Sequence, residues 1–272
     1  MNFFATVAYT TLDETIQNVK QAVLANKVVH LSDFKPDLPV HEFYSRLSET
    51  IGKIHAADED IATGQQTGNR WIDITYNPEI PDRYRSSNTR QPLHTDDSYV
   101  ELYDEVAVNF FYCASKAKLG GATTFIDLTT VVDCLKLDGE TELLDELMRT
   151  DVIHSKGGMR KMRKPLDQDG EGYLANWNYY CLDRTENTPE VLDLCERWQK
   201  FLETRIMESG IIMPVVLQEG ECVFFHDDRV MHGRNAFFAE FPGQRSLIKG
   251  KIILNNAMPM AGQTEDVATI AA

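Results

Sequence analysis

From Trp71 onward the chain is written in short runs of β-branched and aromatic residues: "WIDITY", "VAVNFFYCA", "TTFIDL", "YLANW", "IIMPVVL", "CVFFHD" and "SLIKGKIIL". Each run is bounded by turn formers and is of strand length. Helical periodicity interrupts them at 130–137, 140–149 and 188–207, without a regular strand–helix alternation. That pattern favours an antiparallel barrel or jelly roll decorated by helices over a doubly wound sheet. Upstream, Thr11 and Glu14 match a capping box, and Leu12, Ile16, Val19 and Val23 predict an amphipathic helix over 12–26. "KVVHL" follows as a strand. A second helix is expected over 40–51 with Gly52 placed to end it, and 55–70 reads as a loop.

With 272 residues, 43% hydrophobic and 25% charged, the chain can bury one large core, and we expect a single domain over 1–257 with a mobile tail at 258–272. A net charge of −15 argues against nucleic acid and anionic membrane as partners, because Lys and Arg would have to neutralise a polyanion. The five cysteines have no C-x-x-C spacing and leave no complete disulfide set, which fits a reducing cytoplasm. The start lacks the basic and apolar regions of a signal peptide, and no run approaches the roughly 20 apolar residues of a membrane helix. The expectation is a cytoplasmic protein acting on a small molecule, with the oligomeric state open and a homo-oligomer among the alternatives.

The chemistry concentrates in "QPLHTDDSYV". In a strand, residues i and i+2 share a face, so His94 and Asp96 would offer a nitrogen and an oxygen to one point. A third donor is available in His232 of "RVMHGRNAF". Two histidines and a carboxylate on one face of an octahedral ion form the ligand set of non-haem ferrous oxygenases. H-x-D alone arises often by chance, and a lone histidine beside a strand is more often a hydrogen-bonded structural group. Two further residues bear on the choice. Arg245 presents a planar fork suited to a carboxylate, and Thr123, after the Gly pair of "LGGATTFID", could donate to the same group. Taken singly, each also reads as an ordinary structural residue.

In these residues and their order the sequence resembles the taurine dioxygenase-like family of iron(II)/2-oxoglutarate-dependent oxygenases. The likeness runs from "LANKVVHLSDF" through "PLHTDDSYV" and "LGGATTFID" to "EGECVFFHDDRVMHGRNAF" and "GQRSLIKG". The resemblance implies a clavaminate synthase-like distorted double-stranded β-helix, a jelly-roll relative. It also implies that His94, Asp96 and His232 hold Fe(II), that Arg245 and Thr123 bind 2-oxoglutarate, and that O2 is consumed with release of succinate and CO2. Because Asp96 is not replaced by Gly or Ala, hydroxylation rather than halogenation is the default. Where many relatives carry an acidic residue and then Asn before the distal histidine, this chain has His226 and Asp227, so the support of His232 is an open question.

For the substrate, Asp97, Ser98, Tyr99, Glu101 and Asn109 lie nearest the H-x-D pair and Arg234 follows His232. For each the structural alternative stands beside it: Asp97 as a turn cap, Tyr99 as a packing residue and Arg234 as the partner of an acid. The basic stretch "KGGMRKMRK" and the aromatics Tyr173, Trp177, Tyr179 and Tyr180 mark 156–184 as either a lid or a permanently packed connection. A small polar substrate of amino-acid or amine type is the generic expectation. Desaturation, cyclisation or epoxidation at the same iron centre remain alternatives, as does a non-catalytic jelly-roll protein that binds a metal or small ligand. No helical H-E-x-x-H supports a hydrolytic zinc site.

Overall fold

The first helix starts where its capping residue stands. Thr11 accepts the Glu14 N–H at 3.4 Å and opens α1 (Leu12–Ala25), whose Ile16, Val19 and Val23 are buried at the helical interval. In the computed structural model, which describes residues 1–33, 39–60, 63–80, 84–101 and 106–255, α1 connects two parallel strands, β1 (Asn2–Ala8) and β2 (Asn26–Ser32). The sequence reading did not include β1. Its half-exposed residues carry little alternation, and the parallel pairing is possible because α1 supplies the crossover.

Next, α2 (Val40–Ile51) buries Phe43, Tyr44, Leu47 and Ile51. Gly52 ends it as expected, but in extended rather than left-handed conformation, and begins β3 (Gly52–His55). Its lack of a side chain serves the sheet, since a Cβ there would lie 1.9 Å from the Ile253 carbonyl oxygen. The chain continues through β4 (Ile72–Thr75), β5 (Gln91–His94), β6 (Ala107–Ser115), β7 (Leu119–Gly120) and β8 (Thr123–Asp127). Then come α3 (Leu128–Leu137) and α4 (Thr141–Leu147) and two hairpins, β9 (Val152–Lys156) with β10 (Met159–Arg163) and β11 (Leu166–Asp169) with β12 (Gly172–Ala175). After α5 (Pro189–Phe201), which runs into a π-helical turn at Leu202–Ile206, follow β13 (Met213–Val215), β14 (Cys222–His226), β15 (Val230–Arg234), β16 (Phe237–Phe238) and β17 (Ser246–Leu254).

Two sheets face each other. The larger has the order β1-β2-β14-β6-β17-β3, with β4 also on β17, and the smaller has the order β13-β8-β15-β5. All pairings in them except β1–β2 are antiparallel, and the fold is the mainly-β jelly roll with added helices. Period-two alternation sorts the side chains into three layers. Phe111, Phe225, Val223, Phe125, Val230 and Leu247 meet between the sheets. Their neighbours Phe110, Phe224, Val108 and Ile252 point outward to α1 and α2, while Ile126, Met231 and Leu93 point outward to α3, α4 and α5. Both faces of the central strands are thus covered, which is why those strands read as near-continuous apolar runs.

Part of 156–184 is built into this packing. Trp177 is fully buried against Trp198, and Lys161, from the basic stretch, is buried with its ammonium on the Asp97 carbonyl at 3.2 Å instead of lying in water. Tyr180, by contrast, is exposed. The expected tail at 258–272 lies outside the described residues. Among the described residues no helix is long and apolar enough to cross a membrane.

Candidate active site

The pairing of β15 with β5 sets His232 directly opposite His94, with ring centroids 4.2 Å apart. Val230 and His232 share the inward face of β15, so the His232 ring stands among Phe111, Phe125 and Phe225 between the sheets. The third member arrives differently from the strand expectation. β5 stops at His94, and Asp96 belongs to a turn, not to a strand. That turn is held from outside: Thr95 N donates to Trp177 O at 2.7 Å, and the N–H groups of Asp96 and Asp97 donate to the two carboxylate oxygens of Asp227 at 2.9 and 3.0 Å. The result puts Asp96 Oδ2 3.6 Å from His232 Nε2 and Asp96 Oδ1 3.7 Å from His94 Nε2. One donor atom from each of the three residues lies within 4.8 Å of the other two.

The protonation states suit a cation. Pro92 O can only accept, so His94 Nδ1, 2.9 Å away, carries the proton and Nε2 keeps its lone pair, which the Gln91 amide addresses at 3.1 Å. Burial and the neighbouring His94 hold His232 well below the ordinary histidine range, as a neutral ring. Its Nδ1 is buried and has no hydrogen-bond partner among the described residues, with Asp227 Oδ1 3.9 Å away. Burial works to raise Asp96, but Lys249 and the two histidines outweigh it and keep the carboxyl well below its usual value. Asp227 goes the other way: burial, with Asp96 and Asp97 close by, pushes it up to about 7.

Three residues that the sequence reading did not assign to the site, or assigned to substrate, brace Asp96 and its neighbour. Lys249 Nζ lies 2.6 Å from Asp96 Oδ2, which also accepts from Asn109 Nδ2 at 3.0 Å, and Lys251 Nζ pairs with Asp97 Oδ1. The signal for both lysines was present in "SLIKGKIIL", where two cations interrupt a strand that is otherwise apolar. His226, next to Asp227, has its ring turned to the opposite face of the sheet, donating to Val23 O at 2.8 Å.

The triad opens into a cavity of about 850 Å³ that also reaches Asp97, Tyr99, Glu59, Lys156 and Tyr180. Asn109 and Arg234 do not line it. Arg234 is buried and donates to Tyr84 O at 2.7 Å and Thr89 O at 2.8 Å, which fastens the loop that carries Tyr84 and Arg85 to the cavity wall. Arg245 and Thr123 line a second pocket of about 210 Å³ with Cys113 and Leu247. Arg245 is 5% exposed and stacks over Phe237 at 5.2 Å, and the one hydrogen bond of its guanidinium among the described residues is to Gly121 O at 3.5 Å. Burial and the nearby Arg234 pull its guanidinium down from the ordinary value. A buried guanidinium without a counter-charge is costly, and a carboxylate is the group that would relieve it.

A family model described as taurine catabolism dioxygenase TauD, TfdA family matches residues 4–199, a span that includes His94 and Asp96. The chain belongs to that family. It is 25% identical over 177 residues to a uridine-5'-phosphate dioxygenase from Streptomyces sp, a match covering 58% of this chain and 60% of that protein. Among solved structures it resembles PvcB from Pseudomonas aeruginosa, with a TM-score of 0.64, 16% identity and 94% and 89% of the two chains covered. It also resembles an asparagine oxygenase in complex with Fe(II), 2S,3S-3-hydroxyasparagine and succinate, with a TM-score of 0.66, 11% identity and 90% and 79% covered. Both structural likenesses are of fold alone.

Proposed function

We propose that the chain is an iron(II)- and 2-oxoglutarate-dependent dioxygenase that oxidises a C–H bond of a small polar substrate of amino-acid or amine type, with hydroxylation as the outcome. The observation that carries this reading is the conjunction of two features. One is a donor set of two buried imidazoles and one ionised carboxylate, and the other is a buried arginine with no carboxylate partner among the described residues. Metal storage alone has no use for the second feature.

In this reading His94, Asp96 and His232 hold the iron, and Arg245 with Thr123 grips the distal carboxylate of 2-oxoglutarate. The bound iron and 2-oxoglutarate supply the oxidising power by activating O2 while succinate and CO2 form. The chain's part is positional. Asp227 fixes the backbone of the Asp96 turn, and Asn109 and Lys249 hold one Asp96 oxygen, which leaves the other directed at His94. Phe111, Phe125 and Phe225 wall the imidazole of His232 from water. The substrate lies in the larger cavity, within the size range of small-ligand sites.

An anaerobic ferrous titration followed by a succinate-release assay over amino acids, amines and organic acids tests the reading. The expected result is one ferrous ion per chain and succinate release that requires both iron and 2-oxoglutarate. Succinate release that persisted in a His232→Ala protein at the wild-type rate would sink it.

A further inference from the structure

The larger cavity holds one carboxylate, apart from the metal donors, whose surroundings are those of an ammonium receptor. Glu59 accepts from the Tyr99 hydroxyl at 2.5 Å through one oxygen and from Lys156 Nζ at 2.6 Å through the other. The same Nζ lies 3.4 Å from the Tyr99 oxygen and 5.2 Å from the centre of its ring. The ammonium is therefore held by a carboxylate, a phenol oxygen and an aromatic face, three elements that each favour a cation. Burial and Glu59 push the Tyr99 phenol well up, so it stays a donor.

The receptor and its occupant differ in how firmly they are anchored. Behind Glu59, Arg85 donates to the Glu59 carbonyl at 2.7 Å and pairs with Asp58, and the Glu59 side chain is 13% exposed. Lys156 sits at the tip of the β9–β10 hairpin with its side chain 45% exposed. Ion pairs with an exposed partner are weak, so a lysine of this kind gives way readily. The tip itself is located by a backbone contact: a Cβ on Gly157 would lie 2.0 Å from the Gly64 carbonyl oxygen, and both glycines have positive φ.

The other cations of the cavity favour an amine over an anion as the guest. Arg85 is committed to Asp58, to the Glu59 carbonyl and to the Asp73 carbonyl, Lys251 to Asp97, and Lys249 to Asp96. An anionic substrate would have to break one of those pairs, and an ammonium has only to replace a flexible lysine. Ile72, Ile74, Ile80 and Tyr180 supply apolar wall for the carbon skeleton.

We propose that Glu59 and Tyr99 bind the ammonium group of the substrate, a primary amine of amino-acid or alkylamine type, and that Lys156 is the chain's own occupant of that subsite, displaced on binding. The proposal rests on the oxygenase reading above.

The test is anaerobic calorimetry on the protein loaded with Fe(II) and 2-oxoglutarate, titrated with the common L-amino acids and with n-butylamine, each beside its N-acetyl derivative. The expected result is a free amine that binds about tenfold or more tighter than its acetylated partner. Glu59→Gln should erase that preference. Lys156→Met should tighten amine binding several-fold, because it removes a competitor. A merely structural ion pair predicts no such gain, and the opposite signs of the two variants separate recognition from misfolding. The subsite is overturned if no amine of the panel is preferred over its acetylated partner, if the preference survives in Glu59→Gln, or if Lys156→Met weakens amine binding. Failure of 2-oxoglutarate itself to bind the iron-loaded wild type, seen in the preceding titration, would instead bring down the oxygenase reading and the subsite with it.

Discussion

Arg229 and Arg245 are equally buried, at 6% and 5% exposure, and they complete themselves in opposite ways. Arg229, in the turn between β14 and β15, makes two bonds to Asp169 at 2.9 and 2.6 Å. Burial pulls its guanidinium down, but Asp169 and its acidic neighbours outweigh the burial and the net shift is upward. Arg245, just before β17, has aromatic and carbonyl neighbours and a second arginine nearby, and its shift is downward. One charge is closed within the chain and belongs to folding, whereas the other has no carboxylate partner among the described residues and, in the proposed reading, belongs to binding.

That contrast can be broken or sharpened by measurement. The largest effect is expected at the open end. His232→Ala removes a metal donor without leaving a buried charge, and ferrous affinity should fall by about a hundredfold or more in anaerobic calorimetry. Next, Arg245→Ala should raise the KM for 2-oxoglutarate by an amount corresponding to about 2–5 kcal/mol, with little change in the KM of the other substrate and no loss in the urea midpoint. If stability fell and 2-oxoglutarate kinetics did not move, Arg245 would be a folding residue like Arg229. The converse variant, Arg229→Ala, should lower stability by about 1 kcal/mol, a small figure because Asp169 is 38% exposed, and leave the KM for 2-oxoglutarate unchanged. Thr123→Ala should raise that KM by about fivefold, the effect of one neutral hydrogen bond worth about 1 kcal/mol.

The smallest effect is a pH dependence. Hydrogen bonds from Arg229 hold the Asp169 carboxyl at about 2, below its unfolded value of 3.8. A folded value below the unfolded one gives stability that is complete above about pH 4 and is lost as the pH falls towards 2. Acid unfolding of wild type should therefore be steeper in that window than that of Arg229→Ala, while Arg245→Ala should follow wild type.

The sequence made some of this legible and hid the rest for physical reasons. The start of α1 and the central strands of the two facing sheets were readable because Thr11 announces the helix and because burial on both faces demands apolar runs, whereas β1 and β3, at the ends of the larger sheet, were not. The H-x-D pair and His232 could be picked out as chemistry. Their meeting point could not, since it depends on the β5–β15 register and on Asp227 clamping a turn where alternation predicted a strand. Lys249, Lys251 and Glu59 were missed because each acquires its role only from a distant partner: Asp96, Asp97, or Tyr99 and Lys156. The basic stretch at 156–164 misled in part. Composition does not reveal that Lys161 turns inward to the Asp97 carbonyl while Lys156 stays half in water.

The contact between Gly64 and Gly157 ties two loops together in a way that matters for anyone who would change what this protein accepts. Neither position tolerates a side chain: both have positive φ, and at 157 an added methyl would collide with the opposite backbone. Lengthening or replacing one loop alone would therefore pry the other away and take Lys156 from Glu59. Grafting work aimed at a new specificity should move the two segments as a pair, and natural variants with a different rim should differ in both loops at once.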